Sequence, residues 1–168
     1  MSKIEIERKF LLKSLPDLEP DQIVDIHQFY FKNSYGIWER ARSWISSNGD
    51  MMYIHTIKKS ISKSSNIEDE KLLTLNQFNK FKEKCYKAPS EAKYLNKNRH
   101  IYKYGDLNWE IDVFKNDYKL IIGEIEIPTE DYDLIIPDYI NDILLMEVTG
   151  MKPFSNRSLS LKIKNLKK

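Results

Sequence analysis

The sequence predicts an α+β, mainly β protein: a closed eight-stranded antiparallel β-barrel that encloses a polar tunnel, with helices packed outside. Three observations lead there. Short runs rich in β-branched and aromatic residues recur between turn signals. One stretch changes to a helical period. Like-signed charges stand two residues apart on several of the runs, so each pair shares one face of its strand.

The extended segments are 3–12, 23–33, 37–46, 51–60 and 66–73, separated by signals such as "NSYG" and "SNGD". At "TLNQFNKFKEKCYKAP" Thr74 is placed as an N-cap and Gln77 completes a capping box. Leu75, Phe78, Phe81 and Cys85 then form an apolar helical stripe ahead of Pro89. Strands resume at 93–104, 107–115 and 118–127, with "YGDLN" and "KNDYK" as tight turns. Short helical pieces are expected around Pro137, and Leu159, Ile163 and Leu166 in the tail suit a docking helix. No repeat or linker interrupts residues 1–168, which read as a single domain.

Composition narrows the function. With 27 Lys+Arg against 25 Asp+Glu, the formal net charge of +2 is too balanced for a general nucleic-acid binder. Cys85 is the only cysteine, so no internal disulfide forms. No signal peptide and no apolar run long enough to cross a bilayer is visible, and a cytoplasmic protein that engages neither membrane nor nucleic acid is expected, as monomer or homodimer.

The opening "KIEIERKF" puts Glu5, Glu7 and Lys9 on one strand face. Alone, such alternation is ordinary for a half-solvated strand. It recurs, however, as Arg40 and Arg42, Glu68 and Glu70, Lys97 and Arg99, Glu110 and Asp112, and Glu124 and Glu126. Like charges 5–7 Å apart repel by roughly 0.6–0.8 kcal/mol in water and by more at lower dielectric, so an enclosed face of this kind calls for counter-charges. Thr56 and Lys58, with Gln28, Tyr30 and Lys32, add donors at the same parity. Clustered carboxylates suit Mg²⁺ or Mn²⁺, and Arg and Lys pairs clamp phosphate oxygens, so a metal polyphosphate satisfies both. A closed barrel brings all these faces to one interior.

In these motifs the chain resembles the CYTH superfamily, the triphosphate tunnel metalloenzymes. The family's opening E-x-E-x-K stands here as Glu5, Glu7 and Lys9, and "RAR", "TIK", "KNR", "EID", "EIE" and "EVTG" follow in the family's order over nearly the whole chain. The resemblance implies a tunnel that binds a small-molecule triphosphate with a divalent metal. It assigns Glu5, Glu7 and Glu126 to one metal, and Lys9, Arg40, Arg42, Lys58, Lys97 and Arg99 to phosphate oxygens. Asp112 and Glu124, with Glu68 or Glu70, would hold a second metal or the attacking water. Lys9, Asp112 and Glu124 become the expected catalytic residues, with Glu110 in support. Among the family's activities, inorganic triphosphatase, which converts tripolyphosphate to pyrophosphate and phosphate, fits the short chain and the "EIERKFL" opening. Class IV adenylate cyclase, thiamine triphosphatase and a non-catalytic polyphosphate or nucleotide module are the alternatives. Two positions depart from the pattern: Asn66 replaces the usual Arg, which removes a phosphate contact, and Met151 replaces an Asp after "EVTG".

The remaining reactive residues read as structural. His27, His55 and His100 lack a spacing that joins two on one metal, and Cys85 lies on an apolar stripe. Trp38, Trp44 and Trp109 are expected to pack between the barrel and its outer helices.

Overall fold

The computed structural model describes residues 2–115 and 119–163. Five strands come first: β1 (Ser2–Leu12), β2 (Gln22–Lys32), β3 (Trp38–Ser46), β4 (Met51–Ser60) and β5 (Ser65–Leu73). After helix α1 (Leu75–Lys87) come β6 (Ala92–Tyr104), β7 (Leu107–Phe114) and β8 (Ile121–Glu126). Short elements complete the chain: α2 (Asp138–Asn141), β9 (Leu144–Glu147), α3 (Asn156–Leu159) and β10 (Leu161–Lys162).

The eight long strands run β6-β2-β3-β4-β5-β1-β8-β7, and β7 returns to β6 to close an antiparallel barrel. Closure gives every one of them a neighbour on both sides over part of its length and sends alternate side chains of every strand inward. β1 changes partner along its length. Its first residues, to Ile6, pair with β5, and Phe10, Leu11 and Leu12 pair on β9. Where the two pairings part, Val148 donates its backbone N–H to Lys9 O at 2.8 Å. Gly150, at φ +70°, ends this turn, and a Cβ there would lie 2.3 Å from Lys63 Cγ and 2.7 Å from Lys63 O. The β4–β5 turn therefore rests directly on "EVTG".

Three apolar clusters hold the barrel. The outward residues Phe10, Leu12, Tyr102, Trp109, Ile111 and Ile125 are covered by Leu134, Ile140 and Ile143 from the segment after β8. Phe29, Phe31, Ala41 and Ala92, also outward, are covered by Phe78 and Cys85 of α1 and by Ile163. Each large side chain so buried contributes about 1.5–3 kcal/mol. The third cluster faces inward: Leu95, Phe114 and Ile122 fill part of the tunnel and meet Phe154 and Leu159. Helix α1 begins with the expected capping box between Thr74 and Gln77.

Two expectations change. The tail does not dock as one helix: α3 stops at Leu159, and Leu161 and Lys162 pair with Tyr94 and Lys93 as β10. The reason lies in β6, whose pairing with β7 starts only at Lys97, so its first residues keep a free edge with unpaired backbone groups. Leu166 and most of "KNDYK" lie outside the described residues. Of the tryptophans, only Trp109 packs under the outer segment, with its ring 5.4 Å from that of Phe10. Trp38 and Trp44 share the parity of Arg40 and Arg42 and face the tunnel side.

Candidate active site

Register decides which charges meet. Lys9 lies opposite Glu124, which lies opposite Glu110. Arg99 lies opposite Asp112, Lys58 opposite Glu68, and Arg40 opposite Thr56, itself opposite Glu70. Most like-signed pairs along a strand are therefore answered by opposite signs across strands, although Glu110 lies opposite Glu124 and Glu7 opposite Glu126. The expectation that a ligand must bring all the counter-charge is corrected here: much of it comes from the neighbouring strand.

One wall, on β6, β7, β8 and β1, is tightly paired. Arg99 grips Asp112 with Nε at 2.7 Å and a terminal nitrogen at 2.8 Å, reaches Glu124 at 3.2 Å and bonds Glu110. Lys97 bonds Asp112, and their side chains are 1% and 0% exposed. Lys9 Nζ stands 2.9 Å from Glu124. Burial works to raise Glu124, but Lys9, Lys97 and Arg99 overcome it and hold the carboxyl well below its usual range. Burial lowers the Lys97 amine to about 8 despite Asp112, so it remains a cation at neutral pH. Burial also raises Glu110, only partly opposed by Arg99.

The facing wall, on β3, β4 and β5, carries a looser group. Arg40 and Arg42 both reach Glu70, at 3.5 and 3.2 Å, and Arg40 also bonds Thr56 at 3.0 Å. The Nε atoms of both arginines are buried and have no hydrogen-bond partner among the described residues. Burial, with Arg40 beside it, lowers Arg42 to about 10. Lys58 bridges Glu68 at 2.8 Å and Glu7 at 3.3 Å. Two buried guanidinium N–H groups are thus donors that the oxygens of an anion can meet, each unmet buried donor costing about 1–3 kcal/mol.

Carboxylates gather where β1 meets β5 and β8. Glu7 lies opposite Glu126, and Glu5 opposite Asn66. Burial, then Glu68, raises the Glu5 carboxyl to about 7, with Glu126 adding to the effect. Among the described residues no three acidic, His or Cys side chains converge as ready metal ligands. Lys58 and Lys3, the latter 3.5 Å from Glu5, oppose that rise without cancelling it, and carboxylates grouped in this way are the hard oxygen donors that a divalent cation takes.

The charged residues assigned to metal, phosphate or water thus share the inward parity of their strands. Three further contributors were not foreseen. Lys3, two residues before Glu5 on the same face, bonds Glu126 at 2.8 Å. Asn156 accepts from Lys97 at 3.2 Å, and Thr149 Oγ1 accepts from the Lys9 backbone at 2.9 Å. Parity alone signals Lys3, whereas Thr149 lies in the "EVTG" motif and Asn156 opens α3, neither with a periodic signature. Asn66 accepts from Ser60 at 3.0 Å, and Met151 is exposed. The histidines are dispersed, with His55 on Glu39 and His27 on Asp25.

No protein-family model and no curated relative matches the sequence. Solved structures do. The inorganic triphosphatase NE1496 is 28% identical, with a TM-score of 0.60 over 94% of this chain and 98% of its own. PH1819 from Pyrococcus horikoshii OT3, 17% identical with a TM-score of 0.53 over 76% of this chain and 80% of its own, shares the fold. So does HpAC1 from Hippeastrum, an adenylyl cyclase candidate described as having a dominant triphosphatase activity, at 15% identity and a TM-score of 0.50 over 74% of this chain and 80% of its own. The ordered motifs, the barrel that turns them inward and the likeness to NE1496 agree with the resemblance to the CYTH superfamily, the triphosphate tunnel proteins.

Proposed function

We propose that the protein is a metal-dependent inorganic triphosphatase that hydrolyses tripolyphosphate to pyrophosphate and phosphate. The observation that carries this reading is the Arg40–Arg42 pair, buried with unmet N–H donors and facing a wall of buried carboxylates and cations. Likeness to NE1496, named as an inorganic triphosphatase, supports the choice of substrate.

Arg40, Arg42 and Lys58 hold phosphate oxygens from one wall, and Lys9, Lys97 and Arg99 from the other. Glu5, Glu7 and Glu126, with Glu68, would hold Mg²⁺ or Mn²⁺, which when bound polarises the terminal phosphoryl group. Glu124, kept ionised by its three cations, accepts a hydrogen bond from water and orients it for in-line attack, while the fully buried Asp112 holds Lys97 and Arg99 in place. The water oxygen bonds to the terminal phosphorus as the bridging P–O bond breaks. Pyrophosphate leaves with that bond's electrons, and the water proton passes to solvent or to phosphate.

Phosphate release from tripolyphosphate, ATP and thiamine triphosphate, with Mg²⁺, with Mn²⁺ and with chelator, tests the reading. Metal-dependent release from tripolyphosphate, lost in Glu7→Gln, is expected. Cyclic AMP from ATP, preferred release from thiamine triphosphate, or binding without any product would each overturn it.

A further inference from the structure

A second cationic group lies outside this constellation. Trp38 opens β3 two residues before Arg40 on the same face, about 7 Å along the strand. Lys93 lies opposite Tyr30, which lies opposite Arg40, so the three occupy one face across neighbouring strands. The C-terminal segment crosses this end of the tunnel: Phe154 and Leu159 pack on inward-facing Leu95, Phe114 and Ile122, and Asn156 reaches Lys97. Between them in sequence, Arg157 is thereby carried to Trp38.

The arrangement is built. Lys93 Nζ stands 5.8 Å and Arg157 Cζ 5.5 Å from the Trp38 ring centroid, and Lys93 Nζ donates to the Arg157 carbonyl at 3.2 Å. Lys162 of β10 is opposite Lys93. Among the described residues none of these three cations has a carboxylate within ion-pair distance, in contrast to every cation of the walls described above. Burial lowers the Lys93 amine, and Arg157 and Lys162 lower it further, which is the mark of cations crowded without a counter-ion. Trp38 already has two cations against its ring and so holds them in place rather than offering a free face to a base.

We infer that Lys93, Arg157 and Lys162, ordered around Trp38, form a second phosphate site continuous with the Arg40 cradle, which takes the further phosphate groups of a linear polyphosphate longer than three units. The inference rests on the triphosphatase reading for the identity of the chain but not for its turnover. A phosphate chain that passes Arg40 along β3 meets these cations next, and each charge-assisted contact there adds to affinity without touching the reacting end.

Binding to the full chain in chelator, measured by calorimetry, isolates the site from catalysis. Wild type should bind tetrapolyphosphate about tenfold more tightly than tripolyphosphate, and Arg157→Ala and Lys93→Ala should each erase most of that difference while leaving tripolyphosphate within about twofold. Arg157→Lys should retain part of it. Equal weakening of both ligands, or no change in either, would overturn the inference. Orthophosphate binding that depends on Arg157, without a chain-length effect, would assign the site to free phosphate and overturn the extension. A protein that releases no phosphate yet shows the chain-length difference would lose the activity and keep the site.

Discussion

Lys9 and Glu124 face each other directly across β1 and β8, with the ammonium 2.9 Å from the carboxylate and both side chains nearly buried. Neither is isolated, since Glu124 also receives Arg99 and Lys9 lies near Glu7. The pair is therefore one joint in a network that spans the tunnel wall, and its energetics are those of the network.

Replacing Glu124 by Gln keeps the shape and removes the charge proposed to orient water, and turnover of tripolyphosphate should fall about 100-fold or more. Stability should fall as well, toward the lower end of the about 3–5 kcal/mol typical of broken buried pairs, because Arg99 keeps Asp112 and Glu110. Steady-state kinetics and urea unfolding on one preparation separate the two effects. Unchanged turnover would remove Glu124 from the mechanism.

The Glu5 carboxyl, raised to about 7, sets a pH dependence. A folded value above the ordinary 4.5 means that the folded state binds this proton more tightly than the unfolded chain does. In chelator that contribution to stability is fully present below 4.5 and is lost as pH rises through about 7. The Tm of metal-free protein should accordingly drop between pH 5 and pH 8, and Glu5→Gln should flatten this part of the profile. Added Mg²⁺ or Mn²⁺ should bind more tightly as the proton leaves, so the metal concentration giving half-maximal activity should decrease over the same interval. A metal requirement that does not change with pH would show that Glu5 is not a ligand.

Gly150→Ala should destabilise the protein by about 1–3 kcal/mol, since the backbone there favours glycine and the new methyl meets Lys63 side chain and carbonyl. The β4–β5 turn must shift for the methyl to fit, and Glu7 donates its backbone N–H to Ser64 O at 3.0 Å in that turn. Affinity for metal should weaken along with stability. Wild-type melting and metal binding in the variant would sink this account.

Thr74→Ala, by contrast, removes a cap on a helix outside the tunnel. Chemical denaturation should show a loss of about 0.5–2 kcal/mol with phosphate release unchanged. Altered turnover would show that α1 communicates with the interior.

Strands β1 to β7 were legible within about two residues because alternation and turn signals act locally, and the Thr74–Gln77 box marked α1 for the same reason. Inward parity was legible too, so Glu5, Arg40, Asp112 and their like could be placed on one interior. What sequence could not show was who answers whom. Glu68 meets Lys58 through a hairpin, but Lys9 meets Glu124, and Lys93 meets Arg157, only after closure brings distant segments together. β10 was misread because its pairing depends on an edge that β7 leaves free, which no property of Leu161 or Lys162 announces.

The partner exchange along β1 bears on how the chain is made. Strand β1 is made before every strand it pairs with: one of its sides needs β5 and then β9, and the other needs β8. At translation rates of about 5–20 residues per second, the segment bearing Glu5, Glu7 and Lys9 waits on the order of ten seconds for its last neighbours. Charges on alternate residues disfavour pairing with a wrong strand, so Glu5, Glu7 and Lys9 give the waiting segment that property before they have any partner.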